Sequence, residues 1–235
     1  EFFTVTRQGQ KVSDLEPAPH KTIAESIETP VFPNGVDLRM FYKMKMEDLR
    51  SELGLDQTFV IGYVGRILRM KGLDTLVEAT AQLNMNCKIL LVGRGEYRSE
   101  LEKLADQLVI SERIVWIDGV PPEDVPKYVN CMDTLVLPSR TTPDWVEFFG
   151  RVLVEAMACQ VPVIGSDSGE IPNVIGNAGL TFPEGEAKLL ADQIQMIAQD
   201  LVLRSNLIQL GLERVEEFSW ETIAQRTLEV YRDLV

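Results

Sequence analysis

Two glutamates, Glu147 and Glu155, flank a glycine in the run Glu147-Phe148-Phe149-Gly150-Arg151-Val152-Leu153-Val154-Glu155-Ala156-Met157-Ala158. An apolar, helix-forming stretch begins at Gly150, and the first turn of a helix carries unpaired N–H groups at the positive end of a dipole. That end suits a phosphate. A glycine there lets a ligand approach the backbone closely. Glu147 is expected to project from the loop before the helix and Glu155 from its second turn. Each carboxylate could accept hydrogen bonds from a separate set of hydroxyls. A nucleotide-sugar matches this pattern, with a central diphosphate and hydroxyls at both ends.

A second constellation is the turn Gly65-Arg66-Ile67-Leu68-Arg69-Met70-Lys71-Gly72. Arg66 offers a planar donor fork and Lys71 a mobile point charge, and both could converge on a phosphate or pyrophosphate. The spacing fits neither the phosphate-binding loop that ends in Gly-Lys-Ser/Thr nor the G-x-G-x-x-G dinucleotide turn.

These residues need a scaffold, and the chain supplies an alternating one. Short β-branched runs at 59–64, 88–92, 113–117, 133–137, 161–165 and 180–182 read as strands. Helical patterns separate them, starting near Leu73, Glu96, Pro122 and Gly150. Three more helices are expected at about 187–199, 201–217 and 220–234. Ser219 is a plausible N-cap for the last, whose apolar stripe is Ile223, Thr227, Val230, Tyr231 and Leu234. Such alternation implies right-handed crossovers and an α/β, doubly wound, parallel Rossmann-like sheet with helices on both faces and a C-terminal helical segment. Ligands bind such sheets beyond the carboxyl ends of the strands, where the Gly-rich turns fall. Residues 1–32 read as a tail or the remnant of another domain, with Phe2-Phe3-Thr4-Val5 a candidate strand. Residues 33–218 form the Rossmann-like domain, and 219–235 a C-terminal crossover helix.

Composition narrows the chemistry. The 235 residues carry a formal net charge of -13, which argues against nucleic acid as a partner. His20 is the sole histidine and lies in a Pro-rich stretch, so a multi-histidine zinc site is excluded. Cys87, Cys131 and Cys159 form no C-x-x-C pair and read as buried, reduced thiols of a cytoplasmic protein. No apolar run reaches membrane-spanning length. Peripheral membrane association through another part of the protein stays open.

From about Pro33 to its end the chain resembles the C-terminal, donor-binding domain of retaining GT-B glycosyltransferases of the family-four, or group-1, class. The resemblance is carried by Pro33-Asn34-Gly35-Val36-Asp37 with Phe41, Gly65-Arg66 with Lys71-Gly72, Val92-Gly93-Arg94-Gly95, Gly119 and Pro138-Ser139. Its strongest part is Glu147-x-Phe149-Gly150 with Glu155-Ala156-Met157-Ala158, followed by Pro162-Val163-Ile164.

The resemblance implies transfer of a sugar from a UDP- or GDP-linked donor with retention, and no obligatory metal or other cofactor. Arg66 and Lys71 would hold the pyrophosphate and stabilise the charge on the departing nucleotide. Glu147 would contact sugar hydroxyls, its role as nucleophile left open, and Glu155 the ribose. Gly65, Ser139 and the backbone near Phe149, Gly150 and Arg151 would border sugar or phosphate. Gly93 and Arg94 would border the nucleotide, with Gly119 and Val120 reading the base through main-chain groups.

Three features depart from the family pattern. Gln160 stands where glycine is usual, so the helix-to-strand turn is expected to be slightly strained or rebuilt. Phe148 is bulky where small or polar residues are frequent. The N-terminal acceptor domain, roughly 150–200 residues, has no counterpart here. The expected partners are therefore a nucleotide-sugar and that missing domain or a partner subunit, and α-helix 220–234 would lose packing surface without it. Two other readings remain: a nucleotide-sugar-binding module without turnover, and a GT-B-type nucleotide-sugar epimerase.

Overall fold

The computed structural model describes residues 33–233. Six strands form one sheet: β1 (Phe59–Val64), β2 (Cys87–Val92), β3 (Ile114–Ile117), β4 (Thr134–Leu137), β5 (Val163–Ser166) and β6 (Gly179–Phe182). All neighbouring pairs are parallel, in the order β3-β2-β1-β4-β5-β6. Parallel neighbours need crossovers, and the crossing helices bury the strands; β4 and β5 are accordingly buried along their whole length. The helices are α1 (Glu47–Glu52), α2 (Leu73–Ala81), α3 (Arg98–Gln107), α4 (Val125–Val129), α5 (Arg151–Ala158), α6 (Ile171–Ile175), α7 (Ala187–Gln199), α8 (Leu201–Glu216) and α9 (Trp220–Asp233). They flank the sheet, α2 packing on α3 and α7, and α5 on α6 and α8.

The strand order reverses between β1 and β4. Chain segments leave these neighbouring strands in different directions, which opens a crevice at their carboxyl ends. The turn after β1 carries Arg66 and Lys71, and the loop after β4 carries Glu147. Topology alone therefore brings the two constellations to one rim.

The six expected strands are present, with shifts of one or two residues at the bounds of all but β1. Arg113 belongs to a 3-10 turn before β3, and Asp133 precedes β4 because its carboxylate accepts from the Val60 N–H at 2.8 Å. The helix expected from Pro122 divides into a 3-10 turn (Pro122–Asp124) and α4, since Pro126 has no N–H to continue an α-helical ladder. Helices α1 and α6 are too short, at 6 and 5 residues, to show a period in the sequence. Ser219 caps α9 through its Oγ, which accepts from the Thr222 N–H at 3.1 Å. Along α9, Ile223 is buried, Thr227 and Val230 half-buried and Tyr231 exposed. Leu234, His20 and the candidate strand at Phe2–Val5 lie outside the described residues. The three cysteines are free and buried.

Helix α5 ends as the departure at Gln160 foreshadows. The Gln160 N–H donates to Met157 O at 2.9 Å and the Val161 N–H to Ala156 O at 3.0 Å, which is a Schellman closure. Gln160 sits at φ 60, in the left-handed region that glycine enters without penalty. The same closure ends α3, with Val109 at φ 58 and its neighbour Ile110 donating to Ala105 O at 2.9 Å.

Candidate active site

The crevice holds two confluent clefts. The larger, about 520 Å³, takes its charged wall from Arg66, Lys71, Glu147, Arg151 and Glu155, with Gly65, Gly150 and Val120 beside them. Its apolar side is Val36, Met40, Phe41 and Trp220. The smaller, about 370 Å³, is walled by Gly65, Arg66, Gly93, Arg94, Gly119 and Val120. Arg66 and Val120 border both.

Local chemistry explains each placement. Tyr63, fully buried in β1, donates its phenol to the Arg66 carbonyl at 2.8 Å and so fixes the turn that presents Arg66. Burial, reinforced by the charge of Glu147, holds the Tyr63 phenol far above its ordinary pKa, so it remains a neutral donor. Gly72 takes φ 64, and a Cβ there would run into the Pro138 carbonyl. The turn after β1 and the loop after β4 therefore touch through backbone.

Lys71 meets Glu147 across a sequence separation of 76 residues, Nζ to Oε2 at 2.5 Å, with side-chain exposures of 14% and 12%. The same Oε2 accepts from Ser139 Oγ at 2.9 Å, and Ser139 in turn accepts at its carbonyl from Ser166 Oγ at 2.5 Å. Oε1 of Glu147 has no partner among the described residues, so one carboxylate oxygen is held and the other is unpaired. The Lys71 ammonium also lies 4.6 Å from the centroid of the Trp145 ring. Arg66 and Arg94 are exposed and make no ion pair among the described residues, in contrast to Lys71.

Helix α5 points its N-terminus at the cleft. Gly150 stands at φ 77, and a Cβ on it would meet Leu137 Cδ2 at 2.8 Å. Glu155 is buried in the second turn and pairs with exposed Arg151, Oε1 to Nε at 3.0 Å. Burial raises its pKa, and Arg151 offsets part of that rise.

Of the residues singled out from sequence, Gly65, Arg66, Lys71, Glu147, Gly150, Arg151, Glu155, Gly93, Arg94, Gly119 and Val120 line one or both clefts. Ser139 and Phe149 line neither. Ser139 is fully buried behind Glu147 and acts on that carboxylate, while the Phe149 ring is buried edge-on against Phe218 at 5.4 Å. Phe148, by contrast, is 77% exposed. Sequence reasoning missed Tyr63 and Trp145, because neither belongs to a local pattern that marks a site. Among the described residues no group of three or more His, Cys, Asp or Glu side chains is placed to hold a metal ion, and no helix is long and apolar enough to cross a membrane.

A parallel sheet of this strand order, with a crevice where the order reverses, defines a Rossmann-like α/β domain. Comparison with known proteins makes the assignment specific. The family described as glycosyl transferases group 1 matches residues 45–214. The chain is 32% identical over 205 residues to the GDP-mannose-dependent monoacylated alpha-(1-6)-phosphatidylinositol monomannoside mannosyltransferase of Corynebacterium glutamicum, covering 83% of this chain and 53% of that protein. It superposes on the sucrose-phosphate synthase of Thermosynechococcus elongatus with a TM-score of 0.77 at 32% identity, over 91% of this chain and 54% of that one. It likewise superposes on Anabaena HepE in complex with UDP, with a TM-score of 0.77 at 28% identity, over 87% and 57% of the two chains. The chain belongs to the group 1 glycosyltransferases and carries one Rossmann-like half of their GT-B fold. It spans about half the length of the curated relatives it matches.

Proposed function

We propose that this chain is the donor-binding half of a retaining glycosyltransferase that uses a UDP- or GDP-linked sugar. One observation carries the reading: Arg66, Lys71, Glu147, Glu155 and the N-terminus of α5 surround a single cleft at the topological switch point. The diphosphate lies against Arg66, Lys71 and the α5 N-terminus. Glu155 accepts from the ribose hydroxyls. Glu147 receives a sugar hydroxyl on Oε1 while Ser139 and Lys71 hold Oε2. The base enters the smaller cleft, where Gly119 and Val120 offer main-chain groups. That Anabaena HepE, on which this chain superposes, has been solved in complex with UDP supports a nucleotide as the ligand.

The chemistry is electrostatic help to a leaving group. As the bond from the anomeric carbon to the phosphate oxygen breaks, negative charge builds on the nucleotide, and two pre-placed cations meet it. Removing one such donor typically costs about 2.7–4 kcal/mol in the transition state. Lys71 is well suited because its pairing with Glu147 keeps the ammonium at the rim before any donor arrives. Retention and independence from metal ions rest on the family resemblance. The acceptor half is supplied by the preceding domain or a partner subunit, so the chain alone binds donor without efficient turnover.

Calorimetric titration with UDP, GDP and their sugars tests this reading. One nucleotide series is expected to bind, and Arg66→Ala and Glu155→Ala are each expected to weaken it at least about tenfold, or 1.4 kcal/mol. Unchanged affinity in both variants would remove the site assignment.

A further inference from the structure

Resting on the donor-site reading above, we infer that Trp145 is a positioning residue: its indole face holds the Lys71 ammonium where the donor diphosphate must sit. Lys71 is a flexible side chain, and an ammonium on four rotatable bonds loses much of its value if it wanders. Two contacts restrict it, and a third steadies one of them. Glu147 Oε2 takes it at 2.5 Å, Ser139 holds that oxygen at 2.9 Å, and the half-buried Trp145 ring covers it at 4.6 Å. A cation over an aromatic face is attracted by the ring quadrupole, more strongly where water is excluded.

The loop is built to hold that ring in place. Thr142 and Trp145 close a tight turn through two backbone hydrogen bonds, at 2.8 and 3.2 Å, around Pro143 and Asp144. Proline fixes φ for the first of these central positions. The root of the loop is tied to the very turn that carries Lys71. The Arg140 N–H donates to Met70 O at 2.8 Å, and its guanidinium donates to Asp74 at 2.8 Å and to Thr75 Oγ1 at 2.5 Å. On the other side the Thr141 N–H and hydroxyl both donate to Glu184, at 2.8 and 2.6 Å. Trp145 is thus fixed relative to Lys71 by short chains of bonds, not by Glu147 alone.

The test compares nucleotide with nucleoside, using whichever of UDP or GDP binds more tightly and the matching uridine or guanosine. Trp145→Leu is expected to weaken the diphosphate about five- to thirty-fold while leaving nucleoside affinity within about twofold. Trp145→Phe, which keeps an aromatic face, is expected to restore most of the loss. Against the background of Trp220, which lines the same cleft, diphosphate should change the fluorescence of the parent chain more than nucleoside does, and that excess should vanish in Trp145→Phe and in Lys71→Met. Circular dichroism of each variant confirms that the fold persists. Diphosphate affinity in Trp145→Leu equal to the parent's, or a loss shared equally by the nucleoside, would overturn the inference while leaving the donor site standing. A parent chain that binds neither diphosphate would overturn the donor reading and this inference with it.

Discussion

Two carboxylates, at opposite ends of the sheet, are each gripped by basic side chains. At the amino-terminal edge Asp133 uses both oxygens: Oδ1 accepts from Arg204 at 2.8 Å, and Oδ2 from Arg50 at 3.3 Å and from the Val60 N–H at 2.8 Å. Arg50 goes on to donate to the Cys131 and Thr58 carbonyls at 3.0 and 2.9 Å. At the carboxyl-terminal edge Glu147 uses Oε2 only, and Oε1 opens to the cleft. Burial is similar, with Asp133 at 18% and Glu147 at 12% side-chain exposure. The difference lies in satisfaction. A carboxylate with both oxygens taken locks α1, β1, β4 and α8 together, whereas one with an unpaired oxygen at a cleft keeps an acceptor to offer, as the proposed donor site requires.

The comparison breaks if the two sites respond alike to truncation. Asp133→Ala should cost about 3 kcal/mol, since it strands two guanidinium groups, and lower Tm by about 6–12 °C. Nucleotide affinity of the folded fraction should be unchanged. Glu147→Ala should cost about 1 kcal/mol or less, because the Lys71 ammonium keeps the Trp145 face and gains water in the space the carboxylate leaves, yet abolish the extra affinity that the sugar adds to the nucleotide. Thermal melts and calorimetry on both variants decide between a structural and a ligand-facing carboxylate.

Glu155 sharpens the picture through pH. Burial raises its folded-state pKa, with Arg151 partly opposing. Protonation therefore favours the folded chain: the stability it contributes is complete below the unfolded pKa and is lost as pH rises through the folded value. In the proposed donor complex the ionised form is the one that would accept from both ribose hydroxyls. Affinity for a nucleotide-sugar, whose diphosphate diester stays ionised there, should begin to fall on acidification while the pH is still above the ordinary carboxylate range. Glu155→Gln should bind more weakly at neutral pH and show a flat profile. A parent profile as flat as that of the Gln variant would separate Glu155 from the ribose.

The smallest effect concerns positions far from the rim. Val109 is a β-branched residue in the left-handed region and is 89% exposed. Val109→Gly should stabilise the chain by about 0.5–1 kcal/mol, the relief of left-handed strain exceeding the extra chain entropy of glycine. A rise of about 1–4 °C in Tm with unchanged nucleotide affinity is the expected reading.

Much of this molecule is legible in its sequence because much of it is local. Hydrophobic runs of strand length separated by helical periods declare the parallel sheet, and Gly150 before a helix-forming run declares an anion-ready N-terminus. Even the strain at Gln160 follows from one residue in one turn. Side-chain encounters are different in kind. Lys71 and Glu147 meet because β1 and β4 are neighbours at the point where strand order reverses, a fact of packing that no window of sequence contains. Ser139 behind Glu147, Trp145 over Lys71 and the Asp133 cluster likewise depend on which loops and helices the sheet draws together. Sequence alone determined the strands, the longer helices and the residue types available for chemistry. Only the tertiary structure decided which of them touch, because period and turn chemistry act over a few residues while contact is set by strand order across the whole fold.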